Sequence, residues 1–470
     1  MEQIMLKFNV KKRLFRSLNW VFILMGFQFC NTPKKADMEA GGTGKVVFMS
    51  LDPGHFHAGL IHKTMYPDVD SSVYVFAPDG DELKDYLKRL EGYNTRTENP
   101  TAWNIEVNKG SDYFNQMIKQ KSGNVMMVAG KNDQKIDYIL GAVQNGIHVY
   151  ADKPLVIDQE GFGKLQQAFA VAREKDLLLY DIMTERFEIT SILQKELSMI
   201  PEVFGELVDG TLEEPAITKE SVHHFFKYVS GQALIRPDWF FDVSKQGEGL
   251  VDVTTHLVDL IQWAAFPEQV LKISDVEMIA AKRWSTPLSK EQFQKVTGKA
   301  AFPEFLNKDL QNGQLEVYGN GEMHYSLGGK HAKVSVIWNF QAPEGGGDTH
   351  FSVMRGTKAN LVIQQGEAEA FIPTLYVELL EGQEGELEEV IHITLQKKYP
   401  GLGLEKLPDG RYLIKIPDRY HVGHEAHFAQ VTEKFLEYFQ EGKMPDWEVP
   451  NMLVKYFTTT KALEVARQNQ

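Results

Sequence analysis

Two stretches carry side chains that could do chemistry together. In the first, Gly146-Ile147-His148-Val149-Tyr150-Ala151-Asp152-Lys153-Pro154, a short apolar run is broken at once by an acid, a lysine and a proline. Proline fixes its own φ and biases the residue before it toward an extended backbone, so Lys153 is held stiffly at a strand's end. The second stretch is Gly247-Glu248-Gly249 followed by Leu250 to Trp263. Leu250, Val253, Leu257, Leu260 or Ile261, and Ala264 recur at helical spacing, which leaves Asp252, His256 and Asp259 on another face at steps of four and three. Apolar flanking narrows that face to a polar stripe, and the glycines let a ligand approach the helix start. An imidazole bracketed by acids, with an ammonium aimed from a strand end, suits proton transfer at an alcohol or a ketone. Histidine titrates near ambient pH, and a fixed positive charge stabilises a developing alkoxide.

These side chains need a scaffold, and the flanking sequence describes one. Lys45 to Leu51 reads as a buried strand, followed by Asp52-Pro53-Gly54-His55-Phe56-His57-Ala58-Gly59 and a helix. Strand, glycine turn and helix open a dinucleotide-binding unit, in which the helix N-terminus receives the pyrophosphate. The Gly-x-Gly-x-x-Gly fingerprint is absent; Gly54 with Ala58 and Gly59 can do part of its work, and His55 and His57 occupy positions closer to the cofactor. The next strand, Ser72 to Ala77, ends at Pro78-Asp79-Gly80. Asp79 is the acid expected to accept ribose hydroxyls, and no arginine follows it in the loop, so NAD is expected over NADP.

Glu91 to Lys109 reads as a polar insertion. Strands at Asn124 to Gly130, Ile147 to Ala151 and Leu177 to Asp181 then alternate with helices at Ile136 to Asn145 and Gly161 to Lys175. The expected fold class is α/β, a Rossmann-type doubly wound parallel sheet over 45–182. After a helix to about Ile200, strands dominate an α+β domain over 183–470, among them Glu206 to Glu213, Val270 to Ala281, Ala332 to Phe340, Glu389 to Leu395 and Arg411 to Ile416. Their alternation predicts a large, mostly antiparallel sheet with one face open, followed by closing helices at His424 to Glu441 and Pro450 to Arg467.

At 470 residues and 43% hydrophobic content the chain can bury a large core, and a net charge of −14 argues against nucleic acid as a partner. Basic residues Lys7, Lys11, Lys12, Arg13 and Arg16 precede the apolar run Trp20 to Phe29, which reads as a secretory signal. The single cysteine, Cys30, closes that run and is followed by a polar tether. Residues 1–44 are therefore expected to be a signal and tether, with Cys30 lipidated in the manner of a bacterial lipoprotein, although Phe29 stands where a small residue is usual. The mature chain would be exported, periplasmic or membrane-anchored, and touch the membrane through that anchor alone.

Asp152-Lys153-Pro154 resembles the Glu-Lys-Pro motif of the family of glucose-fructose oxidoreductase, inositol dehydrogenase and MocA-like proteins, with Asp152 for the usual glutamate. Gly247 to Asp259 is similar to that family's Gly-Gly-Gly-x-Leu-x-Asp-x-x-x-His-x-x-Asp, with Glu248 at the middle glycine. Asn132 matches its Thr-Pro-Asn-x-x-His pattern, in which Gly130-Lys131 replace Thr-Pro and Lys135 replaces the histidine. Gly356-Thr357-Lys358 is similar to a tight hairpin of its second domain.

The resemblance implies catalytic roles for Lys153, Asp252 and His256, with Asp252 orienting the His256 ring. It implies cofactor contacts from Gly54, His55, His57, Asp79, Asn132, Asp152 and Lys153, and a tightly bound NAD. Substrate contacts are expected from Arg186, Lys227, Trp239 and Asp259, with His223, His224, Arg236 and Asp238 nearby. The expected activity is hydride transfer between a nicotinamide and a secondary hydroxyl or ketone of a sugar, polyol or glycoside. Two alternatives are an NAD-dependent glycosidase working by transient oxidation and elimination, and a non-catalytic sugar-binding lipoprotein. His421, His424 and His427 invite a metal reading, but no cysteine accompanies them and the family's chemistry needs none, so no metal is expected. The open sheet face suggests a homo-oligomer.

Overall fold

A computed structural model describes residues 44–229, 232–380 and 384–469. The expected signal, tether and Cys30 lie outside them. Among the described residues no helix is long and apolar enough to cross a membrane.

The first sheet has six parallel strands: β1 (Val46–Leu51), β2 (Val69–Ala77), β3 (Asn104–Lys109), β4 (Val125–Val128), β5 (His148–Asp152) and β6 (Leu179–Ile182), in the order β3-β2-β1-β4-β5-β6. Helices α1 (His57–Ile61), α2 (Asp81–Thr95), α3 (Tyr113–Gln120), α4 (Lys135–Gln144) and α5 (Gln159–Glu174) make the crossovers. β4 is buried at all four positions, as a central strand covered on both faces must be. α5 starts where the Asp158 side chain accepts the Gly161 N–H. This is the expected doubly wound sheet, with one correction. The segment read as an insertion finishes α2 and supplies β3, whose alternating exposure marks an edge strand.

The second sheet has ten strands, in the order Val276–Leu288, Gln314–Leu327, Lys330–Gln341, Ile217–Phe226, Thr349–Arg355, Ala359–Gln365, Thr374–Leu379, Tyr412–Lys415 and Gly403–Lys406, with Leu310–Gln311 paired to Gln314–Leu327. All its pairings are antiparallel except that of Ile217–Phe226 with Lys330–Gln341. Two expected strands are corrected. Glu206 to Glu213 forms isolated bridges at Leu207 and Gly210, and the strand falls at Ile217–Phe226 instead. Glu389 to Leu395 is helical.

The chain's last two helices tie both sheets together. Helix His424–Glu441 lies on the parallel sheet, where Phe435 stacks on Tyr150 with ring centroids 4.6 Å apart and Thr432 Oγ1 lies 2.9 Å from Tyr150 Oη. Helix Glu448–Gln468 places Met452 and Tyr456 in that core and Val454, Ala462 and Leu463 in the core of the large sheet.

Candidate active site

β5 delivers Asp152 and Lys153 at its carboxyl end, where ligands bind in open α/β sheets. The backbone there is pinned from below. Buried Lys135, at the start of α4, donates from Nζ to the carbonyls of Asp152 (2.8 Å) and Pro154 (3.1 Å), on either side of a cis Lys153–Pro154 bond. Burial lowers the Lys135 ammonium to about 8.

The opposing element is the turn Gly247 to Val253 and the helix Thr254–Ala265. A Cβ on Gly249 would lie 1.9 Å from the Gly319 carbonyl oxygen, so only glycine lets this turn press against the large sheet. Glu248, at the middle glycine of the motif, is buried and ion-paired to Arg283 (2.5 Å) and Arg467 (2.7 Å). The turn brings Asp252 Oδ1 to 2.7 Å from Lys153 Nζ.

His256 follows one turn on, and its Nδ1 is buried without a hydrogen-bond partner. Burial, with Lys153 beside it, pushes the imidazole down to about 3. The expectation that Asp252 orients this ring is corrected: Asp252 is spent on Lys153, and the two form a fixed ion pair with His256 alongside.

These groups open on a cavity of about 910 Å³. Lys227 lines it and pairs with Asp348 at 2.7 Å. His224 also meets Asp348, at 3.0 Å, and His223 stacks on Trp338 with centroids 5.0 Å apart. Arg186 and Asp259 are not there. They form a bidentate pair at 2.7 Å, shared with Glu448 and Lys455 and buried between the helices, so their reading as substrate contacts is corrected to a structural one. Trp239 is buried against the β1–α1 turn and does not line the cavity.

Residues expected at a cofactor are divided. His55, His57 and Lys153 line the cavity, and buried Asp152 meets the two histidines: His57 Nδ1 lies 2.9 Å and His55 Nδ1 3.8 Å from Asp152 Oδ2. Burial alone would raise the Asp152 carboxyl, but His57, Lys135 and His55 hold it well below the usual range. Asn132 instead ties the sheets together, its Nδ2 donating to the Gln246 carbonyl at 2.7 Å. Asp79 is exposed and paired with Lys109 at 3.1 Å.

A dinucleotide needs its pyrophosphate at the start of the helix after β1. Gly54 sits in that turn at ordinary van der Waals distance from its neighbours. A Cβ on Gly54 would meet Trp239 Cζ2 at 3.7 Å, Glu82 Cγ at 3.8 Å and Gly130 Cα at 3.8 Å. Lys131 Nζ lies 5.7 Å over the Trp239 ring. The surrounding charge is acidic: burial raises the Asp52 carboxyl, with Lys131 opposing and Glu82 and Asp133 adding to the shift. α1 is five residues long and its first N–H points at His55 Nδ1, 3.4 Å away. The N–H groups of Gly54, His55 and His57 are paired with Asp52, Ala129 and His55, so a pyrophosphate bound at this turn would take the place of those partners.

The family model described as "Putative oxidoreductase C terminal domain" matches residues 193–467. The chain belongs to this oxidoreductase family. A crystal structure from Parabacteroides merdae, described as a "putative oxidoreductase", is 53% identical, with a TM-score of 0.89 over 92% of this chain and 100% of that one. Two more distant structures share the fold. A 3-ketoreductase from Actinomadura kijaniata, solved with NADP and TDP-benzene, is 13% identical, with a TM-score of 0.54 over 90% of this chain and 98% of that one. GenD2 from gentamicin A biosynthesis, solved with NAD, is 12% identical, with a TM-score of 0.56 over 93% of this chain and 98% of that one. No curated protein matches the sequence.

In this oxidoreductase the motifs leave several cavity residues unflagged. Glu185 lies 3.4 Å from His424; burial works to raise its carboxyl, yet His424 holds it well below its ordinary value. Asp348 and Trp338 come from the large sheet and its connections, where alternation predicts strands without saying which residues meet a ligand.

Proposed function

We propose that this oxidoreductase binds a sugar, polyol or glycoside in the cavity and interconverts a secondary hydroxyl and its ketone, as the likeness to glucose-fructose oxidoreductase and inositol dehydrogenase implies. The observation that carries the reading is the 2.7 Å pair of Lys153 with Asp252, set beside His256 at the cavity. Burial and the Lys153 charge favour the neutral imidazole of His256, which leaves it able to accept the hydroxyl proton, as a weaker base than a free histidine. Lys153, immobilised by Asp252, presents its charge to the oxygen that loses that proton. Trp338, on which His223 and Phe225 stack, and Phe240 give the cavity an apolar wall, and the Asp348 cluster offers hydrogen bonds.

The hydride partner of this reading is a nicotinamide dinucleotide, NAD before NADP, supported by the family and by structural neighbours solved with NADP or NAD. Export with a lipidated Cys30 remains part of the proposal, and would call for a cofactor that does not dissociate.

The test is to denature chain purified without added nucleotide and to analyse what is released. Stoichiometric NAD or NADH, or quenching of tryptophan fluorescence by added NADH that Trp239→Phe alters, supports the hydride reading. A chain that carries no nucleotide and binds none overturns it in favour of a non-catalytic sugar-binding role.

A further inference from the structure

The cavity wall beside Lys153 holds a group that proton transfer does not use. Where a dinucleotide-binding loop carries glycines, this chain has His55-Phe56-His57 in the β1–α1 turn, and Asp152 reaches the same point from the end of β5. Among the described residues this is the trio of His, Cys, Asp or Glu whose ligand atoms all lie within 4.8 Å of one another. We propose that His55, His57 and Asp152 bind a divalent transition-metal ion, and that the ion takes one or two oxygens of a vicinal diol or hydroxyketone in its open positions.

The geometry is close to that of a bound site. Metal–imidazole and metal–carboxylate bonds of about 2.0–2.2 Å place neighbouring ligand atoms about 3.0–3.4 Å apart at octahedral or tetrahedral angles. Here Asp152 Oδ2 lies 2.9 Å from His57 Nδ1 and 3.8 Å from His55 Nδ1. The two imidazoles are nearly perpendicular, 84° between planes with centroids 4.1 Å apart, so their nitrogens need not lie flat against each other. The ligand atoms of all three lie within 4.8 Å of one another, so rotation of the side chains brings them to bonding distances.

Two imidazoles and one carboxylate leave coordination positions free, and both histidines line the cavity, so those positions face a ligand. The backbone of Asp152 is fixed by Lys135, which limits where its carboxylate can lie. Charge permits a dication: Lys135 and Lys153 are offset by Asp152 and Asp252, and Glu185 adds a further acid next to His424. Asp152 is the one oxygen ligand of the trio, and further oxygen donors would fill the open positions. A sugar supplies them as adjacent hydroxyls or a hydroxyl beside a ketone, and the ion would make one of those oxygens a better acid next to His256. The trio includes residues expected at a nicotinamide, so the ion is measured on nucleotide-free chain.

Metal content is measured on the full chain purified without chelators, and the stripped chain is titrated with Zn²⁺ or Co²⁺ alone. The expected result is saturable binding of about one ion per chain. His57→Ala and Asp152→Asn each weaken it by at least about tenfold, whereas His331→Ala, near the Gly328-Gly329 turn of the large sheet, leaves it unchanged. Should those variants fail to fold, Co²⁺ in the native chain is expected to give hyperfine-shifted imidazole resonances from two histidines. Failure of folded native chain to bind either ion saturably, stoichiometric binding undiminished in His55→Ala/His57→Ala, or Co²⁺ bound without imidazole resonances overturns the assignment. Nucleotide release is read separately, so loss of one proposal leaves the other standing.

Discussion

At the scale of single residues, the site joins charges that are costly apart. Lys153→Met removes the ammonium and leaves Asp252 buried without its cation, so both activity and stability fall. Turnover is expected to drop by about 10²–10³, and Lys153→Arg to recover the stability better than the rate, because a guanidinium can hold the carboxylate but not the same point in space. Steady-state kinetics with urea denaturation separate the two effects. Equal recovery of both would assign Lys153 a purely structural role.

Buried histidines give a second residue-scale prediction. Burial pushes both His62 and His148 down to about 4. The unfolded chain takes up a proton on each near pH 6.5, which the folded chain refuses until about pH 4. Between those values each added proton favours unfolding, so the thermal midpoint falls as pH is lowered and is flat above the unfolded value. His148→Asn keeps an acceptor where Nδ1 takes the Leu178 N–H at 3.0 Å, and a shallower fall in melting temperature between about pH 6.5 and pH 4 is the expected result.

At the scale of elements, the site depends on a turn pressed against a sheet and on a helix locked by ions. Gly249→Ala drives a methyl into the Gly319 carbonyl and moves Asp252 off Lys153; loss of activity with partial loss of stability is expected, seen by kinetics and by circular dichroism on heating. Arg186→Met leaves Glu448 without its cation and Asp259 with Lys455 alone, and is expected to cost about 3–5 kcal/mol. Denaturant titration of Arg186→Met, Asp259→Leu and the double variant checks this, the double variant being less destabilised than the sum of the singles. The same helix shows how far sequence reaches. Its period put Asp252, His256 and Asp259 on one polar stripe, but period is silent on partners. Asp252 meets a lysine and Asp259 an arginine, each from the other half of the chain. Strand Ile217–Phe226 was missed for a related reason: it buries Lys219 and His224, so its pattern does not alternate as an apolar face should. Lys219 is accommodated by Gln194 and Ser352, which no local window contains. The parallel sheet was legible because its central strands are plain apolar runs, whereas the alternating edge strand β3 looked like a polar loop.

At the scale of the whole molecule, the carboxyl-terminal helices decide cooperativity. Tyr456 donates to Asp181 at 2.7 Å within the parallel-sheet core, and on the same helix Lys455 bridges Asp181 and Asp259, each at 2.7 Å. Neither sheet can lose its packing without exposing part of the other's core, so the 44–469 body is expected to unfold in one transition, with near- and far-ultraviolet dichroism coincident. Lys455→Met separates the two possibilities. If the helix couples the sheets, leaving Asp181 and Asp259 short of a cation lowers the single midpoint, by an amount equivalent to about 3 kcal/mol or more. If the sheets are independent, the same substitution splits the curve, with the parallel sheet melting first. The site lies between the two sheets, with Lys153 supplied by one and Asp252 by an element packed on the other, so a split would be accompanied by loss of activity at the lower midpoint. Coincident loss of activity and of all structure is the outcome the shared helix predicts.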